Sequence, residues 1–144
     1  MRKLISLGAI VALLAVLPAS ATAAGRPFVL NLSGAEEAPG PGDPDGSGTA
    51  WLTLNSGLGQ VCFVLAVEDI VLPATGAHIH RAPAGSPGPV VVPLAAPDAT
   101  GASSGCVDAD PALVKEIRKH PSEFYVNVHS TEFPAGAVRA QLDQ

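Results

Sequence analysis

The stretch Phe124-Tyr125-Val126-Asn127-Val128-His129 decides the fold, because its apolar and polar residues alternate without a break. A period of two is typical of a β-strand that turns one face to a core and the other face away from it. The phenylalanine and the two valines share the predicted core face. Tyr125, Asn127 and His129 are therefore expected on the opposite face.

Similar short runs occur on the N-terminal side of this strand and once after it. We predict strands over residues 28–33, 49–54, 60–67, 76–81, 90–94 and 137–142, separated by turns rich in Gly and Pro. Asp110 as N-cap, Pro111 at the first helical position and Pro121 as a stop predict one short helix. Ser103 and Ser104 are expected in a flexible loop. The sequence thus predicts a mostly β fold, an antiparallel, Greek-key-like β-sandwich or barrel with one short helix.

The N-terminus has the features of an export signal. Arg2 and Lys3 precede an apolar run over residues 4–17, and Ala21-Thr22-Ala23 offers a cleavage site. The apolar run is shorter than the roughly 20 residues that span a bilayer. We predict a signal peptide over residues 1–24, cut near Ala23 or Ala24, a single domain over residues 25–144, and no membrane insertion afterwards. The protein is expected to be secreted or periplasmic.

The charge balance excludes some partners. Without Arg2 and Lys3, six of the eight basic residues remain against 13 acidic ones, a formal charge of −7. Such a chain offers no basic patch, so it is not expected to bind nucleic acid or anionic membranes. The partner left open is an unidentified extracellular protein or surface component.

Cys62 and Cys106 are the two cysteines of the chain. In an exported protein an even pair favours a disulfide, here closing a loop of about 45 residues worth roughly 4 kcal/mol. A metal–thiolate site is the alternative, but neither cysteine has a second ligand at C-x-x-C spacing.

Three histidines fall in predicted strands. His78 and His80 are two residues apart and share the face opposite Ala77 and Ile79, and His129 also leaves the core. If the two strands are neighbours, the three imidazoles can converge on one copper or zinc ion. The alternative is that they donate hydrogen bonds to loop carbonyls and hold the loops on the sheet. The fourth histidine, His120, is expected as a solvated residue at the helix end.

Several motifs follow one another in a fixed order along residues 28–142. They are Leu32-Ser33-Gly34-Ala35-Glu36-Glu37-Ala38-Pro39, Gly46-x-Gly48, Ala77-His78-Ile79-His80, Gly88-Pro89-Val90-Val91, Tyr125-Val126-Asn127-Val128-His129 and Pro134-x-Gly136-Ala137-Val138-Arg139-x-Gln141-Leu142. Together they resemble the CHRD (chordin-repeat) domain in its bacterial stand-alone type, with Ala38, Arg81 and Ala140 as small departures. The resemblance implies a β-rich extracellular module and supplies no settled activity.

A second resemblance concerns the strand Gly76-Ala77-His78-Ile79-His80. It is similar to the H-x-H strand of copper/zinc superoxide dismutases, in which a later strand histidine, here His129, completes a copper site on a β-barrel. No histidine lies between Arg81 and Lys119, so the zinc ligands of that family have no counterpart. Dismutase activity is therefore the least favoured function.

Two functional hypotheses remain. The first is a secreted, non-enzymatic binding or structural module that requires no cofactor and presents the loops at residues 35–48 and 82–89 to a partner. The second is a metal-binding protein that uses His78, His80 and His129. Asn127, Arg139 and Gln141 are assigned structural roles, with Arg139 expected to bond loop carbonyls or a carboxylate such as Glu132.

Overall fold

The structure is a computed structural model that describes residues 27–143, in which strands dominate. In chain order the regular elements are β1 (Phe28–Ser33), β2 (Ser47–Asn55), β3 (Gln60–Glu68), β4 (Gly76–Arg81), β5 (Val90–Leu94), β6 (Ala102–Asp108), α1 (Pro111–Lys119), β7 (Phe124–His129) and β8 (Val138–Gln141). Two 3₁₀ segments, Gly34–Glu36 and Pro121–Glu123, precede β2 and β7. The signal peptide predicted over residues 1–24 lies outside the described residues.

The eight strands form one sheet in the order β5-β4-β7-β8-β1-β2-β3-β6, and every pairing is antiparallel. The sheet curves into a nearly closed barrel. Its two terminal strands are consecutive in the chain, and the Ser103 hydroxyl of β6 donates to the carbonyl of Ala95 just after β5, at 2.8 Å. The predicted mostly β, antiparallel fold is confirmed, and of the two predicted architectures the barrel is the one adopted.

The period of two in the sequence explains the interior of the barrel. Each strand from β1 to β5, together with β7 and β8, sends alternate apolar side chains into one shared core, and α1 adds two more. The fully buried members include Leu30, Leu52, Leu65, Ile79, Ile117, Phe124 and Val126. Because the core lies inside the curved sheet, the histidine-bearing face of β4 and β7 is its outer face.

Strand β6 corrects the expectation that Ser103 and Ser104 lie in a flexible loop. Both serines are in β6, which pairs with β3 from Gln60↔Asp108 to Ala66↔Ala102. The stretch Ala102–Asp108 has no alternating apolar residues, and most of its side chains are exposed. Backbone pairing with β3 therefore makes it a strand, and no local pattern announces that.

Helix α1 begins and ends at the predicted signals. The Asp110 carboxylate accepts a hydrogen bond from the amide of Ala112 at 2.7 Å, as an N-cap does. Pro111 is the first helical residue and His120 is the C-cap, exposed to solvent. Val114 and Ile117 are buried in the barrel core. No helix within residues 27–143 is long and apolar enough to cross a membrane.

Cys62 and Cys106 are directly opposite each other on β3 and β6. Their sulfurs are 2.08 Å apart, the distance of a disulfide bond. The pair ties the exposed strand β6 to β3. It belongs to neither of the strands that carry the three histidines.

Candidate metal centre

Strands β4 and β7 bring the three strand histidines together on the outer face of the barrel. The strands pair with Gly76 opposite His129, His78 opposite Asn127 and His80 opposite Tyr125. One nitrogen from each of His78, His80 and His129 can be chosen so that all three lie within 4.8 Å of one another. We call these three residues the histidine cluster.

The closest approach within the histidine cluster is 3.1 Å, between Nδ1 of His78 and Nε2 of His129. Gly76 makes room for it. A Cβ atom at position 76 would lie 3.0 Å from Cε1 of His78 and 3.6 Å from Cδ2 of His129. The missing side chain therefore leaves the space into which the two rings converge.

Two of the imidazoles are anchored to backbone carbonyls. Nδ1 of His80 donates to the carbonyl of Gly88 at 2.8 Å, and Nδ1 of His129 donates to the carbonyl of Pro134 at 3.0 Å. A carbonyl can only accept, so in both neutral rings the proton is on Nδ1 and the lone pair is on Nε2. This arrangement is typical of metal-binding histidines, whose second ring nitrogen donates to a carbonyl or carboxylate.

Three buried side-chain atoms lack a hydrogen-bond partner in the described part of the chain, namely Oε1 of Glu37, Oδ1 of Asn127 and Nε2 of His80, and only the last belongs to the histidine cluster. His80 is only 8% exposed, and its Nε2 atom is buried without a hydrogen-bond partner among the described residues. A buried acceptor without a donor costs free energy unless something else occupies its lone pair. The atom that could coordinate an ion is therefore the one left unpaired beside two further imidazoles.

The environment of His78 and His129 favours their neutral forms. Burial lowers the pKa of His78, and the neighbouring His129 and His80 lower it further. Burial also lowers the pKa of His129, partly opposed by its bond to Pro134. Neutral imidazole is the form that binds a metal ion, so both shifts favour ligation near neutral pH.

The β4–β5 connection, residues 82–89, crosses the outer face of β7 and β8, and we call it the strap. Arg139 on β8 donates to the carbonyls of Ser86 at 3.0 Å and Pro83 at 3.1 Å, the kind of partner expected from the sequence. Gln141 donates to the carbonyl of Ala82 at 2.9 Å. Both side chains are nearly fully buried beneath the strap, although the alternation of β8 directs them away from the apolar core.

Asn127 and Glu37 form a second buried polar group next to the cluster. Asn127 is paired with His78 on one side and with Arg139 on the other. The Glu37 carboxyl is packed so tightly against Gly136 that a Cβ atom there would be 2.3 Å from it. Burial raises the pKa of Glu37 to about 7, although Arg139 and a hydrogen bond from Asn127 act in the opposite direction.

Sequence reasoning missed several residues around the cluster. Glu37, Gly88 and Tyr125 lie within the ordered motifs quoted above, but the motifs gave no role to any of them. Position 76 is likewise a plain strand residue in the sequence pattern. Their place in the quoted motifs was the available signal for Glu37, Gly88 and Tyr125, and Gly76 lay in the strand that resembles the H-x-H strand. No residue pattern shows that these positions meet, because the contacts of Glu37 with Gly136 and of Tyr125 with Gly88 join segments far apart in the chain.

These features define a small antiparallel β-barrel domain with three convergent histidines on its outer face. The chain belongs to the CHRD domain family, whose model matches residues 28–142. The match covers nearly all of the described residues and confirms the resemblance drawn from the ordered motifs. No curated protein and no solved structure is similar enough to the chain to count as a match.

Proposed function

We propose that this chain is an exported, non-enzymatic binding module of the CHRD family that holds a copper or zinc ion in its histidine cluster. The observation that carries the proposal is the buried, unpaired Nε2 atom of His80 beside the imidazoles of His78 and His129. The ligands would be Nε2 of His80, Nε2 of His129 and one ring nitrogen of His78.

The cluster geometry is close to what one ion requires. Two nitrogens that each lie 2.0–2.1 Å from the same ion are at most about 4.2 Å apart. The nitrogens of the cluster lie within 4.8 Å of one another, so small ring movements would bring them to an ion. Three imidazoles suit both zinc and copper and leave a coordination position for water or a partner's group.

Export is part of the same proposal. The Cys62–Cys106 pair at disulfide distance fits an oxidising compartment, and CHRD is an extracellular type of domain. The export signal predicted over residues 1–24 would supply the route. A surface component or protein outside the cytoplasm would then meet the solvent-facing side of the strap, of which Pro83, Ala84 and Gly85 are exposed.

Metal binding by purified protein tests the proposal. We expect the chelator-treated wild type to take up one equivalent of Zn²⁺ or Cu²⁺ in a calorimetric titration. His80→Ala and His129→Ala should each weaken that binding by at least about tenfold, because each removes a ligand. His120→Ala is the matched control, since His120 is exposed at the end of α1 and should leave binding unchanged.

Two results would contradict the metal proposal. One is a wild type that binds neither ion, and the other is equal binding by the wild type and both ligand variants. Export has its own test, the N-terminal sequence of the protein recovered from outside the cytoplasm. Cleavage near Ala23 or Ala24 is expected, and a mature chain that still begins at Met1 would contradict it.

A further inference from the structure

The strap contacts the sheet through backbone groups. Its carbonyls at Ala82, Pro83 and Ser86 accept from Gln141 and Arg139, and the amide of Gly88 donates to the Tyr125 hydroxyl at 3.3 Å. Four bonds from three side chains therefore fix a segment of eight residues. Side chains on the outer face of β7 and β8 therefore determine the path of the strap.

Gly88 is the point at which the strap meets the histidine cluster. A Cβ atom at this position would lie 1.9 Å from the carbonyl oxygen of Arg81, so only glycine lets the strap approach β4 this closely. The same residue accepts the Nδ1 proton of His80 with its carbonyl, at 2.8 Å. The location of one strap carbonyl thus decides which nitrogen of His80 carries the proton.

The side chains of His80, Tyr125 and Arg139 form a three-layer stack. The His80 imidazole lies parallel to the Tyr125 ring, with centroids 4.7 Å apart and an interplanar angle of 5°. The Arg139 guanidinium carbon is 3.4 Å from the centre of the same tyrosine ring. Since β4 and β8 flank β7, the imidazole and the guanidinium approach the phenol ring from opposite sides.

Arg139 therefore reaches His80 by two routes, through the strap and through the tyrosine ring. Its side chain is only 1% exposed, and it also donates to the Gln141 side-chain oxygen at 3.2 Å. The hydrogen bonds of a buried guanidinium to neutral backbone carbonyls add little net stability, because the free energy of desolvating the charge offsets much of the free energy gained from those bonds. The planar fork of the guanidinium, with its donors in fixed directions, holds the carbonyls of Pro83 and Ser86 in one arrangement.

We propose that Arg139 and Gln141 are positioning residues of the metal centre, which hold the strap so that Gly88 fixes His80 as the Nδ1–H tautomer and leaves Nε2 free for an ion. The consequence for metal affinity rests on the proposed function. The effect on the tautomer does not, since it depends only on hydrogen bonds within the chain.

The test reads the tautomer and the affinity separately. Long-range ¹H–¹⁵N spectra of the metal-free protein report which nitrogen of His80 is protonated, and competition titration with Co²⁺ reports affinity. Arg139→Lys keeps the charge but loses the planar fork, and Tyr125→Phe removes only the acceptor for the Gly88 amide. Arg118→Lys is the matched control, because Arg118 is an exposed arginine on α1.

We expect one Nδ1–H tautomer of His80 in the wild type and in Arg118→Lys, and a mixture of tautomers in Arg139→Lys and Tyr125→Phe. The Co²⁺ affinity of Arg139→Lys should fall by about tenfold or more, as for other lost outer-shell contacts. If Arg139→Lys does not fold, Gln141→Met, which removes the donor to the Ala82 carbonyl, decides the question by the same two measurements. A wild-type tautomer and affinity in that variant would refute the positioning role.

The outcomes separate this inference from the proposed function. If the wild type binds Co²⁺ and the folded variants keep the wild-type tautomer and affinity, the positioning role is wrong and the metal site stands. If the tautomer changes in the variants but the wild type binds neither Co²⁺ nor Zn²⁺ nor Cu²⁺, the metal site is wrong and the control of His80 by the strap stands.

Discussion

At the scale of single residues, Glu37 combines a buried carboxyl with a pKa raised to about 7, against an ordinary value of 4.5. The folded protein therefore binds a proton at Glu37 between these two pH values, where the unfolded chain has released it. The stability that this proton contributes is complete below pH 4.5 and is lost as the pH rises through about 7.

Glu37→Gln removes this pH dependence because the amide stays neutral. We expect the variant to be more stable than the wild type at pH 8 by about 3 kcal/mol, and of similar stability at pH 4. Urea denaturation at the two pH values measures the difference. Glu36→Gln, at the exposed neighbouring position, is the control. A difference between Glu37→Gln and the wild type that is the same at both pH values would show that burial of the charge is not its cause.

Gly76 lets the rings of the histidine cluster converge, and this can be tested by filling its space. Gly76→Val should push His78 and His129 apart and reduce Zn²⁺ affinity by about tenfold or more, because ligand geometry must hold within a few tenths of an ångström. Gly105→Val is the control, since a Cβ there would meet Phe63 at an ordinary 3.6 Å on an exposed strand. Calorimetry should show full binding by the control, and equal binding by both variants would refute the steric role.

At the scale of secondary structure elements, β6 depends on its neighbour more than the other strands do. None of its side chains belongs to the fully buried core, which only Val107 contacts, and its main attachments are the ladder to β3, the cysteine pair and the Ser103 bond to Ala95. The double variant Cys62→Ala/Cys106→Ala opens a loop with a sequence separation of 44 residues. Chain entropy puts the resulting loss of stability at about 4 kcal/mol.

Hydrogen exchange should locate that loss. We expect the amides of β6 to lose protection first in the double variant, while those of β4 and β7 exchange only with global unfolding. Uniform loss of protection over all eight strands would mean that the cysteine pair stabilises the barrel as a whole and not β6 in particular.

At the scale of the whole molecule, the proposed ion between β4 and β7 would link ligand binding to folding. Saturating Zn²⁺ at 100 times its dissociation constant should stabilise the folded protein by about 2.7 kcal/mol and raise its Tm accordingly. Because the pKa values of His78 and His129 are lowered from 6.5, the increase should persist at pH 6.5 and disappear at lower pH, where the imidazoles become protonated. Differential scanning calorimetry with His80→Ala checks this, because a variant that binds at least about tenfold more weakly should gain no more than about 1.4 kcal/mol at the same Zn²⁺ concentration. A Zn²⁺-induced increase that is equal in this variant would place the ion elsewhere.

Much of the barrel was predictable because a strand with one buried face can be identified from the alternation of apolar and polar residues in a short stretch of sequence. Alternation in 28–33, 76–81 and 124–129 gives both the strands and their buried faces, and the caps of α1 are properties of a few adjacent residues. The same alternation sends the three strand histidines to the non-core side. The choice between a sandwich and a barrel could not be made, because closure depends on how the curved sheet returns to its first strand.

The sequence by itself determined the strands with an apolar period, the helix, the core side chains and the outward direction of His78, His80 and His129. Only the tertiary structure decided that β4 pairs with β7, that β6 is a strand, and that the strap covers Arg139 and Gln141. These depend on hydrogen bonds between segments far apart in the chain, about which a period of two carries no information. A polar residue on the outer face of a strand has the same pattern whether water or a loop covers it, so only the folded chain shows that this outer face is buried and organised around His80.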